Sequence, residues 1–155
     1  MPTNLDRYKA DLAKLISLGD SLDMSLQNRC HPTEFKEAVQ SQLGEKAEKF
    51  LASLPDFGSE YQRWYSEAKA LIRQLLPDRL DDFVRHYEKP KSRKSISYES
   101  YRIEDCLQDL RVTRSCGEEV VVGSSAGIPH VRQQLAILMA SKRASRVRYS
   151  IFVNS

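Results

Sequence analysis

The feature that most constrains the fold of this chain is a hydrophobic repeat at intervals of three and four residues. The repeat is most regular over residues 61–75, where seven apolar or aromatic positions fall on one stripe of a helix. Ser59 and Gln62 have the spacing of a capping box, so we expect this helix to begin near Ser59. The stripe should be core, and its buried face is expected to hold Tyr61, Trp64 and Tyr65.

Shorter stripes of the same kind occur along most of the chain and are separated by prolines, which end helices or occupy their first turn. Gly19 is a plausible stop or weak point in the first of these helices. Residues 112–127 break the repeat with β-branched and small residues, which favours a short β-hairpin or an irregular segment. The sequence therefore predicts a mainly α-helical bundle, organised as a single domain over residues 1–155.

Three features that the sequence lacks bear on where in the cell the protein is expected. The longest purely apolar run, Leu135–Ala140, has six residues, against roughly 20 for a membrane-spanning helix, so we expect no membrane span. Residues 1–7 are polar, unlike the apolar centre of a secretory signal. The three cysteines form no Cys-x-x-Cys pair and are expected to be reduced thiols. Together these features predict a cytoplasmic protein.

Basic residues are concentrated in two parts of the chain. Residues 120–155 contain five basic residues and no acidic one, and residues 85–102 contain six basic residues and two acidic ones. Basic patches attract phosphate backbones because binding releases counterions. Solvated loops and basic helix ends are the more common explanation. If nucleic acid is bound, the predicted contact residues are Lys89, Lys91, Arg93, Lys94, Lys142, Arg143, Arg146 and Arg148.

One pair of residues has a spacing compatible with catalysis. Arg79 and His86 match the widest form of the Arg-x(4 to 6)-His signature of helical ribonucleases. In that chemistry an arginine stabilises the developing charge on phosphorus and a histidine moves the proton of the 2′-hydroxyl. Arginine and histidine are also common on helix surfaces, and the more common explanation is that the two residues flank Phe83 on the solvent side.

The potential metal ligands are not spaced as a metal site. No two of them fall in a knuckle of two to four residues, so neither a metal nor another cofactor is expected. These ligands are Cys30, His31, Cys106, Cys116 and His130. The acidic groups at residues 78–82 and 104–105 are expected in the first turns of helices, where the positive pole of the helix favours them.

A family resemblance is carried by the segments YQRWYSEAKALIRQLLPDRLDDF (61–83), KPKSRKSISYESYRIEDCLQDL (89–110) and IPHVRQQLAIL (128–138). From about residue 5 to residue 143 the chain resembles the N-terminal part of a family of uncharacterised bacterial proteins. Longer members of that family carry a C-terminal Arg-Asn-…-His element, as in HEPN domains, which are helical modules that often act as ribonucleases in toxin and phage-defence systems. This chain has no counterpart of that element, and Arg79 and His86 do not stand at the matching positions. The resemblance implies a helical module that supports or positions something else.

Three functions follow from these observations. The leading expectation is a non-catalytic interaction module that binds a protein partner or a second copy of itself. Its apolar surface would contain Leu135, Leu138, Ile151 and Phe152, because an apolar stripe without its continuation stays partly uncovered. The alternative is RNA binding through the two basic regions, and ribonuclease activity at Arg79 and His86 comes third.

Overall fold

The computed structural model of the chain describes the backbone of residues 4–114 and 119–154, and the side chains of these residues except 5 and 144–154. Its long helices are α1 (Asn4–Cys30), α4 (Phe57–Leu75) and α7 (Ile128–Asn154). The shorter helices are α2 (Pro32–Leu43), α3 (Ala47–Ser53), α5 (Leu80–Arg85) and α6 (Ile103–Leu107). Two strands, β1 (Val112–Arg114) and β2 (Glu119–Val122), pair as an antiparallel hairpin. The predicted fold class, a mainly α-helical bundle with a short hairpin, is confirmed.

Helix α1 packs against both α4 and α7. The indole Nε1–H of Trp64 donates to the carbonyl of Leu15 at 2.8 Å, and the hydroxyl of Ser25 donates to the carbonyl of Pro55 at 2.6 Å. Moving along α1 from Leu15 to Ser25, the contact point on the other side moves back from Trp64 to Pro55, so α1 and α4 are antiparallel. Buried residues from α1, α4, α5 and α7 join in a single hydrophobic cluster.

The stripe on α4 is buried as its spacing predicts. Tyr61 and Trp64 have no exposed surface, and Tyr65 is 7% exposed. Burying a large apolar side chain contributes about 1.5–3 kcal/mol, so this face dominates the attachment of α4 to its neighbours. Among the described residues, no helix is both long enough and apolar enough to cross a membrane.

The start of α4 differs from the prediction. The helix begins at Phe57, and its N-cap is Asp56, whose Oδ2 accepts the Ser59 N–H at 3.0 Å and the Ser59 hydroxyl at 2.6 Å. These two hydrogen bonds lower the pKa of the Asp56 carboxyl. The predicted capping box of Ser59 and Gln62 is wrong, because an aspartate placed three residues earlier caps the first turn more completely.

Gly19 lies inside α1 and does not end it, so of the two roles predicted for it the helix stop is wrong. A Cβ atom at this position would stand 2.4 Å from Cδ2 of Leu135 and 3.0 Å from Cζ2 of Trp64. Leu135 of α7 and Trp64 of α4 therefore pack directly against the backbone of α1 at Gly19, which has no side chain to separate them. The helix continues to Cys30 because this close packing compensates for the low helix propensity of glycine.

Helix α7 buries part of the surface that was expected to be free. Leu135 is 7% exposed and Leu138 has no exposed surface, because α1 and α4 cover this face. The spacing of apolar residues on α7 predicts that both leucines belong to its buried face, and this is confirmed, whereas the expectation that they stay partly uncovered is wrong. The same spacing predicts that Met139 belongs to this face, but Met139 is 54% exposed. The side chains of Ile151 and Phe152 lie outside the described residues.

Two other local predictions have different outcomes. The hairpin is present, with Val122 buried and Val120 and Val121 exposed, whereas Cys116 falls outside the described residues. The sequence also predicts that Ile96, Tyr98 and Tyr101 re-enter the core, but Tyr98 is 60% exposed. It belongs to a turn in which the backbone amides of Ser97 and Ser100 each donate to the other residue's hydroxyl, and this turn directs Tyr98 away from the core.

Candidate nucleic-acid interface

The segment between α5 and α6 is anchored by a buried ion pair. The guanidinium of Arg93 donates to Asp105 through Nη1 at 2.6 Å and through Nη2 at 2.9 Å. The side chain of Arg93 is 11% exposed and that of Asp105 is 1% exposed. Two parallel bonds of this kind fix the orientation of the guanidinium as well as its position. Arg93, predicted to bind nucleic acid, therefore anchors the segment and has its charge neutralised by Asp105.

The two ends of this segment are tied together by the backbone. The N–H of Ile103 donates to the carbonyl of His86 at 3.1 Å, and the N–H of Glu104 donates to the carbonyl of Tyr87 at 3.0 Å. Glu104 Oε2 also accepts the backbone N–H of Lys89 at 3.0 Å. We call residues 89–94 the basic loop. Lys89, at one end of the loop, is held by Glu104, and Arg93, near the other end, is held by Asp105.

The lysines of the basic loop are presented to solvent. Lys89, Lys91 and Lys94 are exposed, and none of them makes an ion pair with the described residues. Arg85, on the last turn of α5, is also exposed, and its ion pair with Asp82 is long, at 3.7 Å. This part of the surface therefore carries positive charge that carboxylates do not neutralise, and such a surface attracts polyanions.

Two histidines meet beside the basic loop. His86 follows the last residue of α5 and His130 lies in the first turn of α7, and their Nδ1 atoms are 2.8 Å apart. One ring must donate and the other accept, so the pair shares a single proton at this contact. Burial and the neighbouring His130 lower the pKa of His86 to about 4. Burial and the nearby Arg102 lower the pKa of His130.

Arg102 lies close to both histidines and lowers the pKa of each. Its Nη1 donates to the carbonyl of Tyr101 at 2.9 Å. Nη1 of Arg102 donates in addition to the carbonyl of Glu99 at 2.8 Å. Burial lowers the pKa of Arg102, and Arg85 and Arg93 lower it further. Two histidines and an arginine thus form a cluster that no sequence motif revealed, because 44 residues separate His86 from His130.

Arg79 is engaged elsewhere. Its Nε donates to Oδ2 of Asp82 at 3.0 Å, within a 3₁₀ turn that leads into α5. Among the described contacts, His86 meets His130, and none joins His86 to Arg79. The structure therefore does not assemble the arginine–histidine pair that the sequence suggested.

The two predicted basic regions are also separate. Lys142 and Arg143 are exposed on α7, twelve and thirteen residues after His130. At about 1.5 Å and 100° per residue, Lys142 lies about 18 Å along the helix from His130 and about 120° around it. The side chains of Arg146 and Arg148 lie outside the described residues. The described part of the basic C-terminal region, Lys142 and Arg143, is thus not continuous with the basic loop.

The cysteines and histidines do not gather around a common centre. Within the described residues, no group of three or more His, Cys, Asp or Glu side chains is placed to hold a metal ion. Cys106 is buried, and burial raises the pKa of its thiol to about 11. At neutral pH this thiol is protonated and has little nucleophilic character.

A groove between α1 and α4 is a second candidate site. It has a volume of about 640 Å³ and an apolar floor that includes Leu15, Leu18 and Leu71. Its rim carries charges of both signs, contributed by Asp11, Lys14, Arg63 and Glu67.

Comparison of the chain with known protein families, with curated proteins and with solved structures found no match in any of the three.

Proposed function

We propose that this chain binds nucleic acid, RNA in the first place, by its phosphate backbone at the basic loop. The observation that carries the proposal is the anchoring of the loop by Arg93 and Asp105, which leaves Lys89, Lys91 and Lys94 exposed without carboxylate partners. An anchored loop loses less conformational entropy on binding than a mobile one. Exposed lysines supply the charge that releases counterions from a phosphate backbone.

The contacts proposed here are to phosphates, which position a nucleic acid without reading its sequence. Binding should therefore depend strongly on salt and weakly on base composition. A double variant, Lys91→Glu with Lys94→Glu, should weaken the binding of a mixed-sequence single-stranded RNA in a fluorescence anisotropy titration. It should also flatten the salt dependence, because each phosphate contact contributes about 0.7 to the slope of log K against log salt.

The matched control is Lys36→Glu with Lys49→Glu. These two lysines are exposed on α2 and α3, and their substitution changes the net charge by the same amount. Equal weakening by the control pair would show a general charge effect and would contradict a binding site at the basic loop. Absence of RNA binding by the unaltered chain at low salt would overturn the proposal.

The family resemblance adds a wider proposal. In a longer HEPN-type protein of toxin or phage-defence systems, a module of this kind would position RNA, and the cleavage chemistry would belong to the C-terminal element. Arg79→Gln and His86→Ala, tested separately for RNA cleavage, examine the third hypothesis. A cleavage activity that either substitution abolishes would place catalysis in this chain.

Self-association at the groove between α1 and α4 is the second candidate function. The occupant proposed is a second copy of the chain, because a rim with both acidic and basic groups can complement itself across a twofold axis. Asp11 and Glu67 of one copy would face Lys14 and Arg63 of the other around the apolar floor. Such a dimer would agree with the self-association expected from the sequence. Its interface would be the groove between α1 and α4, whereas the sequence pointed to the last helix.

Light scattering over a range of concentrations tests this candidate. The unaltered chain should form dimers at high concentration, and Leu18→Glu should shift it to monomers by placing a charge on the apolar floor. Val121→Glu, on the exposed hairpin, is the control and should leave the dimer intact. A strict monomer at every concentration would exclude this candidate without affecting the proposal for the basic loop.

A further inference from the structure

The cluster of His86, His130 and Arg102 is built from three parts of the fold. His86 immediately follows α5, His130 lies in the first turn of α7, and Arg102 immediately precedes α6. The rings of the two histidines are joined through their Nδ1 atoms at 2.8 Å, and Arg102, whose Nη1 donates to the carbonyl of Tyr101, is close enough to lower the pKa of both rings. Both histidines are half-buried, so the cluster is a fixed arrangement of donors at the surface.

The charged groups that act on the two histidines of this cluster carry more positive than negative charge. On its own helix His86 is influenced by Arg85 and Asp82, and from other elements by His130 and Arg102. The described charged group that acts on His130 is Arg102. Asp82 already forms ion pairs with Arg79 and Arg85, and Asp105, the acid that acts on Arg102, is bound to Arg93. The pKa values of His86, His130 and Arg102 are all lowered, mainly by burial and further by the neighbouring basic groups.

We infer that His86, His130 and Arg102 form a subsite for one phosphate group of a nucleic acid bound at the basic loop. This inference rests on the proposed function and names the ligand group that the cluster takes. Among the described hydrogen bonds of Arg102 only Nη1 is used, so Nε and Nη2 remain as donors. Protonation of either ring adds an imidazole N–H beside these guanidinium donors, and several donors at one place suit the tetrahedral oxygens of a phosphate.

Protonation and phosphate binding are linked at this subsite. A bound anion favours the charged form of each imidazole, so phosphate raises the pKa values of the pair. The coupling is reciprocal, and phosphate therefore binds more tightly as the pH falls. When both rings are protonated, neither Nδ1 can accept from the other, and both N–H groups become available to phosphate oxygens.

Histidine NMR titrations between about pH 4 and pH 8 test the subsite, because they follow each imidazole separately. Inorganic phosphate is compared with chloride at equal ionic strength, and the exposed His31 provides an internal control. Phosphate should raise the apparent pKa of His86 by about one unit, which corresponds to about tenfold tighter binding to the protonated form. The resonances of His31 should not respond.

Variants separate the subsite from non-specific charge. His130→Gln and Arg102→Lys should each remove the phosphate response of His86, whereas Arg79→Gln should retain it. Arg102→Lys keeps the charge, so it tests the geometry of the guanidinium, and the dispersion of the amide spectrum reports whether each variant is folded. If folded His130→Gln and Arg102→Lys both respond as the unaltered chain does, the subsite is wrong.

The source of the phosphate is resolved with a dinucleoside monophosphate, which carries one phosphodiester. A response of His86 to this compound supports a nucleic-acid backbone as the ligand. A response to inorganic phosphate alone overturns the nucleic-acid assignment in favour of a free phosphate or a phosphomonoester. Lys91→Glu with Lys94→Glu should weaken oligonucleotide binding and leave the response to inorganic phosphate intact. The subsite fails if inorganic phosphate has no effect on His86 or His130, even when oligonucleotide binding still depends on Lys91 and Lys94.

Discussion

The hydroxyl of Tyr61 on α4 donates a hydrogen bond to Oε1 of Gln134 on α7, across 73 positions of sequence. Gln134 has no exposed surface, and its Nε2 donates to the carbonyl of Phe83 on α5 at 3.0 Å. A single buried amide thus joins three helices. Phe83 lies three residues before His86, and Gln134 lies four residues after His130. The core contact therefore holds the two helix ends from which the histidine pair is built.

Removing this hydroxyl should destabilise the bundle. Tyr61→Phe keeps the ring but leaves Oε1 of Gln134 buried without its donor. An unsatisfied buried polar group costs about 1–3 kcal/mol, and we expect a loss of that size in the free energy of unfolding. Urea unfolding followed by tryptophan fluorescence measures it, because Trp64 lies in the same core.

Tyr65→Phe is the matched control. The hydroxyl of Tyr65 is buried and has no hydrogen-bond partner among the described residues. Removing it should leave stability unchanged or raise it by up to about 1 kcal/mol, because a desolvated group is lost and no bond is broken. Equal destabilisation by the two substitutions would contradict the assignment of the Tyr61–Gln134 bond.

The ion pair between Arg93 and Asp105 should behave as a coupled unit. Arg93→Met or Asp105→Asn alone leaves one largely buried charge without its partner, and each should cost about 1.5–3 kcal/mol of unfolding free energy. The double variant should cost less than the sum of the two, since no lone charge remains. A double-mutant cycle by urea unfolding measures the coupling, and strictly additive effects would show that the pair does not anchor the loop.

How much the sequence could predict depends on the range of the interaction. The buried face of α4 follows from spacing within one helix, so Trp64 and its neighbours were placed correctly. Arg93 looked like any other residue of a basic loop, because its partner Asp105 lies twelve positions away beyond a turn. His86 and His130 are distant in sequence, and only the packing of α5 against α7 brings them together.

Gly19 is another position at which a rule based on local sequence, that glycine interrupts helices, did not predict the structure. Glycine is a poor helix former, and the sequence alone gives no sign that another helix passes above it. Gly19→Ala should destabilise the bundle by about 1–3 kcal/mol, because the new Cβ would require Leu135 and Trp64 to move. Thermal unfolding followed by circular dichroism measures the effect.

Gly58→Ala is the control for helix propensity. Gly58 is exposed in the first turn of α4, and a Cβ there would meet only Oδ2 of Asp56, at 3.6 Å. Alanine should stabilise the helix there by about 0.5–1 kcal/mol. If Gly19→Ala also raised the melting temperature, this would contradict the close packing of Leu135 and Trp64 against the backbone at Gly19.

The histidine pair predicts that stability is lost in mild acid. The pKa of His86 is about 4 in the folded chain, whereas a histidine in an unfolded chain titrates near about 6.5. Between these values the unfolded state binds more protons than the folded state. The contribution of His86 is therefore fully present above about pH 6.5 and falls as the pH is lowered towards 4. His130, whose pKa is also lowered, adds to the same trend.

Melting temperatures measured in phosphate-free buffers over this pH range test the prediction. The double variant His86→Asn with His130→Gln should show a shallower decline in acid than the unaltered chain, because it lacks both groups that take up protons on unfolding. His31→Asn removes an exposed histidine and should retain the original profile. Carboxylates also titrate near the lower end of this pH range, so the effect of the histidines is given by the difference in melting temperature between the double variant and the unaltered chain. Parallel profiles for the double variant and the unaltered chain would mean that the pair does not govern the acid response.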